Sequence, residues 1–386
     1  MATRAPTATI ASRIFTPEGG AAAFRLAALA TALEDAGYET TVLTTQVPVR
    51  VQSTKKVRRF PVLRNRSGAV RGYLQYASFD LPLFFRLLVA PRATITIVEP
   101  PPTTGVAVRL ASALRRTPYA YFAADVSSVA AAGIGVNRTV VRILRVVESW
   151  ALRGARVVLA VSEGVRHEVA ALGVSEDRIT VVGTGVDTEV FRPDGELPDE
   201  TRPYLIYAGT MSEIQGASVL IEAFIRISES HPRALLMMFG HGTQESNLRA
   251  IAGPLAGERI QFRGTVPGPE VAPWLRGARA ALASMSPDCR YEFAHATKAF
   301  AGLACGSPVI YAGAGVTADL IRDHDLGWAV PWDIAAVAAA MDAALNSEPI
   351  PQRRVSLATW AAENYSLRSV AEKAVHALTR ATAPTA

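Results

Sequence analysis

Five glycine-bearing turns follow short apolar runs in this sequence: Gly19-Gly20, Gly183-Thr-Gly185, Gly209-Thr210, Gly240-His241-Gly242 and Gly264. Glycine at a strand end lets backbone N–H groups approach a phosphate, and a helix N-terminus behind the turn adds favourable partial charge. One such turn carries little weight. Five, shared between two halves of one chain, point to a phosphate-bearing ligand in a cleft. A further turn, Gly313-Ala-Gly315-Val-Thr-Ala318, fits the dinucleotide fingerprint G-x-G-x-x-A, with Asp333 fifteen residues beyond it. That fingerprint normally opens a nucleotide-binding domain, whereas here only about seventy residues follow it. A turn touching some other anion is the better reading, and a dehydrogenase the lesser one.

Other chemistries lack their residues. Asp323-His324-Asp325 matches a D-x-D metal pattern, but it stands in a polar stretch before Leu326-Gly327-Trp328, which reads as a solvated turn. The six histidines form no HExxH pair, and neither a G-x-S-x-G elbow nor a Walker loop occurs. Hydrolase and NTPase readings lose their usual support. Cys289 and Cys305 have fifteen residues between them, far from C-x-x-C spacing, which suits a reducing cytoplasm.

The elements that must position these turns alternate along the chain. Short β-branched apolar runs at 9–14, 40–45, 93–98, 119–122, 157–161 and 179–182 are separated by helical stretches, among them 21–36 and 138–153. That alternation predicts parallel α/β layers. Residues 187–203 are rich in Asp, Glu and Pro with no apolar period, and read as a domain linker. The pattern then restarts with strands at 204–208, 234–239, 260–263, 280–284 and 308–311 and helices at 219–228, 297–305, 334–345 and 356–378. The expected division is a first domain over 1–186, the linker, a second domain over 204–355, and a C-terminal helical segment over 356–386 that can return to the first domain. Open parallel sheets bind ligands beyond the carboxyl ends of their strands, so the two halves are expected to share a cleft.

Composition agrees with two α/β domains. With 386 residues, 49% of them hydrophobic, the chain is long enough to bury cores without disulfide or metal staples, and it is neither disordered, collagenous nor coiled-coil. No early segment has the form of a secretory signal, and the apolar stretch 81–91 is too short and too interrupted by Arg86 to span a bilayer. A cytoplasmic location is expected. The +6 charge is uneven: residues 1–190 hold 23 Lys/Arg against 14 Asp/Glu, and the remainder 17 against 20. Lys55, Lys56, Arg58, Arg59, Arg64 and Arg66 form an acid-free stretch followed by Tyr73, Leu74, Tyr76, Phe79 and Leu81. That juxtaposition suits peripheral contact with an anionic membrane on the inner face, each base adding about 1 kcal/mol near the surface. A solvated loop before a buried helix is the competing reading. No nucleic-acid-binding motif accompanies the charge.

Set in order, these residues resemble the family 4 glycosyltransferases of the GT-B fold, over nearly the whole chain. The resemblance rests on Pro17-Glu-Gly-Gly20 with the helix after it, on Glu148 and Ala160-Val-Ser162-Glu, and on Val181-Val-Gly-Thr-Gly185-Val-Asp187-Thr-Glu-Val-Phe191-Arg-Pro193. It continues through Tyr207-Ala-Gly209-Thr-Met-Ser-Glu-Ile-Gln215-Gly216 and Lys298-Ala-Phe-Ala-Gly-Leu-Ala304-Cys-Gly306-Ser-Pro308. Such a likeness implies two Rossmann-like domains facing each other across a cleft. It also implies retaining, metal-independent transfer of a hexosyl unit from a nucleotide-diphosphate sugar to a glycan or lipid-linked acceptor, with no cofactor. The nearest subset is similar to bacterial envelope-polysaccharide hexosyltransferases.

Departures from the family pattern matter. Thr210 and Gln215 stand where the family usually has Arg and Lys, and Ala301 where it has the ribose-binding glutamate. Its other glutamate falls at Phe293, with Glu292 one position away. On the likeness to the subset, Lys298 supplies the phosphate charge and Asp125 faces the donor sugar. Plain alternatives are an exposed helix lysine and a loop aspartate capping the turn at Ser127. The resemblance would place Gly240 and His241 near the phosphates or sugar, Arg263 and Gly264 near the base, and Gly313 and Gly315 near the diphosphate. Gly19 and Gly20 would approach on closure, and Gly209, Thr210, Gln215 and Glu292 would complete the donor set. Two further readings stay open: a non-catalytic nucleotide-sugar-binding partner of another transferase, and a GT-B sugar-nucleotide epimerase.

Overall fold

The computed structural model describes residues 5–18, 21–47, 56–65, 68, 70, 72–133, 136–289 and 295–383. Contacts divide the chain into two units, Met1–Gly183 with Leu367–Ala386, and Thr184–Ser366.

The first unit is built in alternation: β1 (Thr7–Ala11), α1 (Ala21–Asp35), β2 (Glu39–Thr45), β3 (Val57–Phe60), α2 (Tyr73–Val89), β4 (Ile95–Val98), α3 (Pro102–Arg115) and β5 (Tyr119–Ala123). It continues with α4 (Ser127–Gly133), α5 (Arg138–Arg153), β6 (Val157–Ala160), α6 (Glu163–Ala171) and β7 (Ile179–Val181). Its seven strands form one parallel sheet in the order β3-β2-β1-β4-β5-β6-β7. Strands covered on both faces read as unbroken apolar runs, and Tyr119–Ala123 is buried at every position. The Ala/Leu-rich α1 has high helix propensity and ends at Gly37, whose φ of 85° closes it as Tyr38 N–H bonds Leu33 O at 2.9 Å.

The second unit repeats the scheme with β8 (Tyr204–Ala208), α7 (Ser218–Ile227), β9 (Leu235–Phe239), α8 (Glu245–Ala252), β10 (Ile260–Gly264), α9 (Gly268–Gly277) and β11 (Ala280–Ser284). It ends with α10 (Thr297–Ala304), β12 (Val309–Ala312), α11 (Val316–Asp323), β13 (Gly327–Val330), α12 (Ile334–Asn346) and α13 (Pro351–Tyr365). Its sheet is also parallel, in the order β10-β9-β8-β11-β12-β13, with one core on each face. α14 (Leu367–Thr382) belongs to the first unit, where Val370, Ala374 and Leu378 pack in one core with Leu26, Leu29 and Leu33 of α1. Full burial of a leucine is worth about 1.5–3 kcal/mol, so this helix pair is a substantial part of that core.

Three expectations differ from the structure. Residues 187–203 are not a free linker. The division falls at Gly183, and the segment lies on the second unit, where Val190 and Phe191 pack on its core. Arg276 Nε there donates to Glu196 O at 3.0 Å. Carbonyl contacts with Arg276 and the packing of Val190 and Phe191 fasten the segment without a periodic apolar face. The helix expected over 356–378 is two helices, since Ser366 is extended and Val186 N–H bonds Tyr365 O at 2.7 Å. Finally, the basic stretch holds edge strand β3, because Val57 and Phe60 register with Val42 and Thr45 of β2. Two of its charges are paired, Lys56 with Glu34 and Arg64 with Glu18, each at 2.7 Å. Among the described residues no helix is long and apolar enough to cross a membrane.

Candidate active site

In the second unit the predicted turns meet at the carboxyl edge of the sheet, beyond the point where strand order reverses between β8 and β11. Backbone bonds stitch them together: Gly209 N–H to Phe239 O at 3.0 Å, Gly240 N–H to Gly264 O at 2.7 Å, and Met211 N–H to His241 O at 3.1 Å. Gly240 has φ 122°, and a Cβ there would fall inside the van der Waals shell of Gly209 O. A Cβ on Gly242 would likewise strike Met211 O. Only bare backbone permits turns this close.

Lys298 is the second residue of α10 and half-buried. Its stem lies across Gly209, so near that a Cβ on that glycine would sit 2.6 Å from Lys298 Cε. The ammonium donates to Gln215 Oε1 and lies 5.3 Å from the centroid of the Tyr207 ring. Burial lowers its pKa to about 7, and no described carboxylate offsets that. Gln215 is itself fixed, since Ser284 Oγ at the end of β11 donates to Gln215 O at 2.7 Å. Trp332 Nε1 donates to Gly216 O at 3.0 Å on the same turn. Lys298, Gln215 and Gly209 are thus brought together, with Thr210 exposed beside them.

His241 is exposed, its Nδ1 2.5 Å from Glu245 Oε2 at the start of α8. Glu245 titrates below its usual range, chiefly because Arg249 bonds it and secondarily because His241 does. The ladder between β9 and β10 shifts register between Phe262 and Gly264, which leaves Arg263 as a bulge residue. Its guanidinium lies 5.0 Å from the Trp274 ring centroid. Gly313 and Gly315 carry φ of 153° and 81°, and Gly315 caps α11. Just inside that helix, Thr317 Oγ1 accepts from Ala296 N–H at 3.0 Å, which ties this turn to the start of α10. Asp333 does not serve as the acid of a dinucleotide fingerprint: its Oδ1 accepts from Ala336 N–H at 2.9 Å and caps α12. Asp323 ends α11 and Asp325 lies in an exposed turn. Gly19, Gly20 and Glu292 lie outside the described residues.

The first unit gathers carboxylates at its own switch point, where β1 lies beside β4. Asp125, two residues past β5, has its pKa raised to about 6, first by burial and then by Glu148 and Glu99. Its Oδ1 is buried without a hydrogen-bond partner. Glu148 of α5 accepts from Ser127 N–H at 2.7 Å and Ser128 N–H at 2.9 Å and so caps α4, while Asp125 also hydrogen-bonds Ser127. Glu99 forms a buried ion pair with Arg25, whose guanidinium is 5.0 Å from the Phe122 ring centroid. Arg25 and Glu99 escaped sequence reasoning. Their signal was a charge inside the Ala/Leu helix and another directly after the run 93–98, positions where charges are rare unless paired. Among the described residues, no three His, Cys, Asp or Glu side chains cluster as metal ligands.

Family models match both units: a glycosyl transferase 4-like domain over residues 19–185 and glycosyl transferases group 1 over 202–347. Glycogen synthase of Mycobacterium tuberculosis is 27% identical over 226 residues, covering 58% of this chain and 53% of that protein. D-inositol 3-phosphate glycosyltransferase of Thermomonospora curvata is 28% identical over 229 residues, 53% of this chain and 52% of its own. The chain thus spans about half the length of these relatives. Sucrose-phosphate synthase from Thermosynechococcus elongatus superposes with a TM-score of 0.75 at 18% identity, covering 97% of this chain and 98% of that one. Two parallel-sheet units, glycine turns at the strand ends and both family models together lead to one assignment: the chain belongs to the family 4, group 1 glycosyltransferases and has their GT-B fold.

Proposed function

We propose that the chain transfers a hexosyl unit from a nucleotide-diphosphate sugar to a glycan or lipid-linked acceptor, with retention of anomeric configuration and without a metal ion. The observation that carries this is the Lys298 ammonium, held over Gly209 against a neutral amide rather than a carboxylate. A sugar nucleotide already has a good leaving group, so the enzyme must stabilise charge developing on the β-phosphate. A lysine paired with a carboxylate has little charge left to offer. One resting on Gln215 can exchange that weak partner for a phosphate oxygen, and Gly315 opens the N-terminus of α11 beside the turn, while Gly313 N–H is held by Val330 O at 2.9 Å.

Asp125 suits the sugar side of the reaction. With its pKa about 6 and Oδ1 unpartnered, it can accept a hydroxyl hydrogen bond from donor or acceptor. Thermal-shift screening against UDP, GDP and dTDP sugars, followed by hydrolysis and transfer assays, tests the reading. A shift with one nucleotide series and release of its diphosphate is expected. Binding without turnover across acceptors would overturn it and leave a non-catalytic nucleotide-sugar binder.

A further inference from the structure

Of sixteen large apolar side chains exposed among the described residues, ten lie on α2, α3 and α5. These helices are neighbours, since α3 packs against both α2 and α5. Leu81 and Phe85 are 63% and 56% exposed on α2, Leu114 68% on α3, and Ile143 and Val146 60% and 64% on α5. Scattered exposed leucines need no explanation, but this concentration in one helical layer does.

Charge identifies what covers it. The three helices contain two carboxylates, Asp80 and Glu148, and both are buried. Arg138, Arg142 and Arg145 are exposed on α5, beside the apolar stripe of Val140, Ile143 and Val146. A second copy of the chain would set arginine against arginine on such a face. An anionic lipid surface complements it, with apolar side chains at the acyl boundary and guanidinium groups on lipid phosphates.

We propose that the α2–α3–α5 face docks on an anionic bilayer, with α5 lying in the plane of the interface. The face differs from the basic stretch around 55–66, where Lys56 and Arg64 are already engaged by Glu34 and Glu18. α5 also carries Glu148 five residues beyond Ile143, so the docking helix holds the α4 turn next to Asp125.

Vesicle co-sedimentation without donor or acceptor tests this independently of the transferase reading. The chain should bind phosphatidylglycerol-containing vesicles, weakly if at all bind pure phosphatidylcholine, and detach at high salt. Arg142→Glu with Arg145→Glu should lower vesicle affinity by about tenfold or more. Arg226→Glu with Arg233→Glu, on exposed sites of the second unit, makes the same change in net charge and should leave binding near wild type. Ile143→Asp should also weaken binding, and all variants should keep the wild-type unfolding temperature because the sites are exposed. Equal loss in both double variants, or equal binding to both lipids, would overturn the proposal. So would a solution dimer that Ile143→Asp dissociates, since it would assign the face to a second copy.

Discussion

Lys298 donates to the side-chain oxygen of Gln215 across the bare backbone of Gly209, and no described carboxylate offsets the burial of its ammonium. If this charge serves the leaving phosphate, Lys298→Met should lower kcat by about 10²–10³-fold, the usual effect of removing one transition-state donor. Its unfolding midpoint should hold or rise, because a half-buried ammonium is removed. Steady-state kinetics beside thermal unfolding check both; wild-type kcat would take Lys298 out of the reaction.

Proton uptake should accompany nucleotide binding. The Lys298 pKa is lowered to about 7 by burial, and a bound diphosphate would raise it again. Affinity is therefore expected to be highest below pH 7 and to fall as pH rises above it. Calorimetry in two buffers of different ionisation enthalpy would show protons taken up at pH 8 in wild type and not in Lys298→Met.

Asp125 predicts a stability effect of definite sign. Its folded pKa of about 6 lies above the ordinary aspartate value, so the folded state binds the extra proton. The stability this contributes is complete below about pH 4 and is lost as pH rises through about 6. Asp125→Asn should match wild type near pH 4 and exceed it by about 1–3 kcal/mol at pH 8, as shown by denaturant midpoints across that range.

The Arg25–Glu99 pair is asymmetric in its failures. Glu99→Ala leaves a buried guanidinium without its partner and should cost about 3–5 kcal/mol. Replacing both by apolar residues of similar volume should restore much of that loss. Chemical unfolding of the two single variants and the double variant measures the coupling.

Gly240→Ala should destabilise by more than about 2 kcal/mol, because positive φ and the clash with Gly209 O both oppose a Cβ. Gly253→Ala, also at positive φ but with open space around it, separates strain from clash. The difference in their midpoints isolates the close approach of the two turns.

Much of this was legible in the sequence wherever the information is local. Runs such as Tyr204–Ala208 and Ala280–Ser284 are strands at the residues expected, because buried parallel strands announce themselves as continuous apolar segments. The turns at Gly209, Gly240 and Gly264 were legible because a glycine directly after an apolar run marks a strand end. Arg25 and Glu99 were not, since 74 residues separate them and only the fold makes them a pair. Strand β3 was hidden by its own arginines, which an edge strand tolerates and a central one would not. The break at Ser366 has no glycine or proline to mark it.

The placement of α14 gives the chain an order of completion. Leu26, Leu29 and Leu33 of α1 share a core with residues that a ribosome adds only after it has added 184–366. In covalent terms the second unit is an insert within the first, whose core closes only when α14 docks. A fragment ending before Leu367 would present that half of the core to solvent, so the first unit should be recoverable alone only when residues 367–383 are joined back to it.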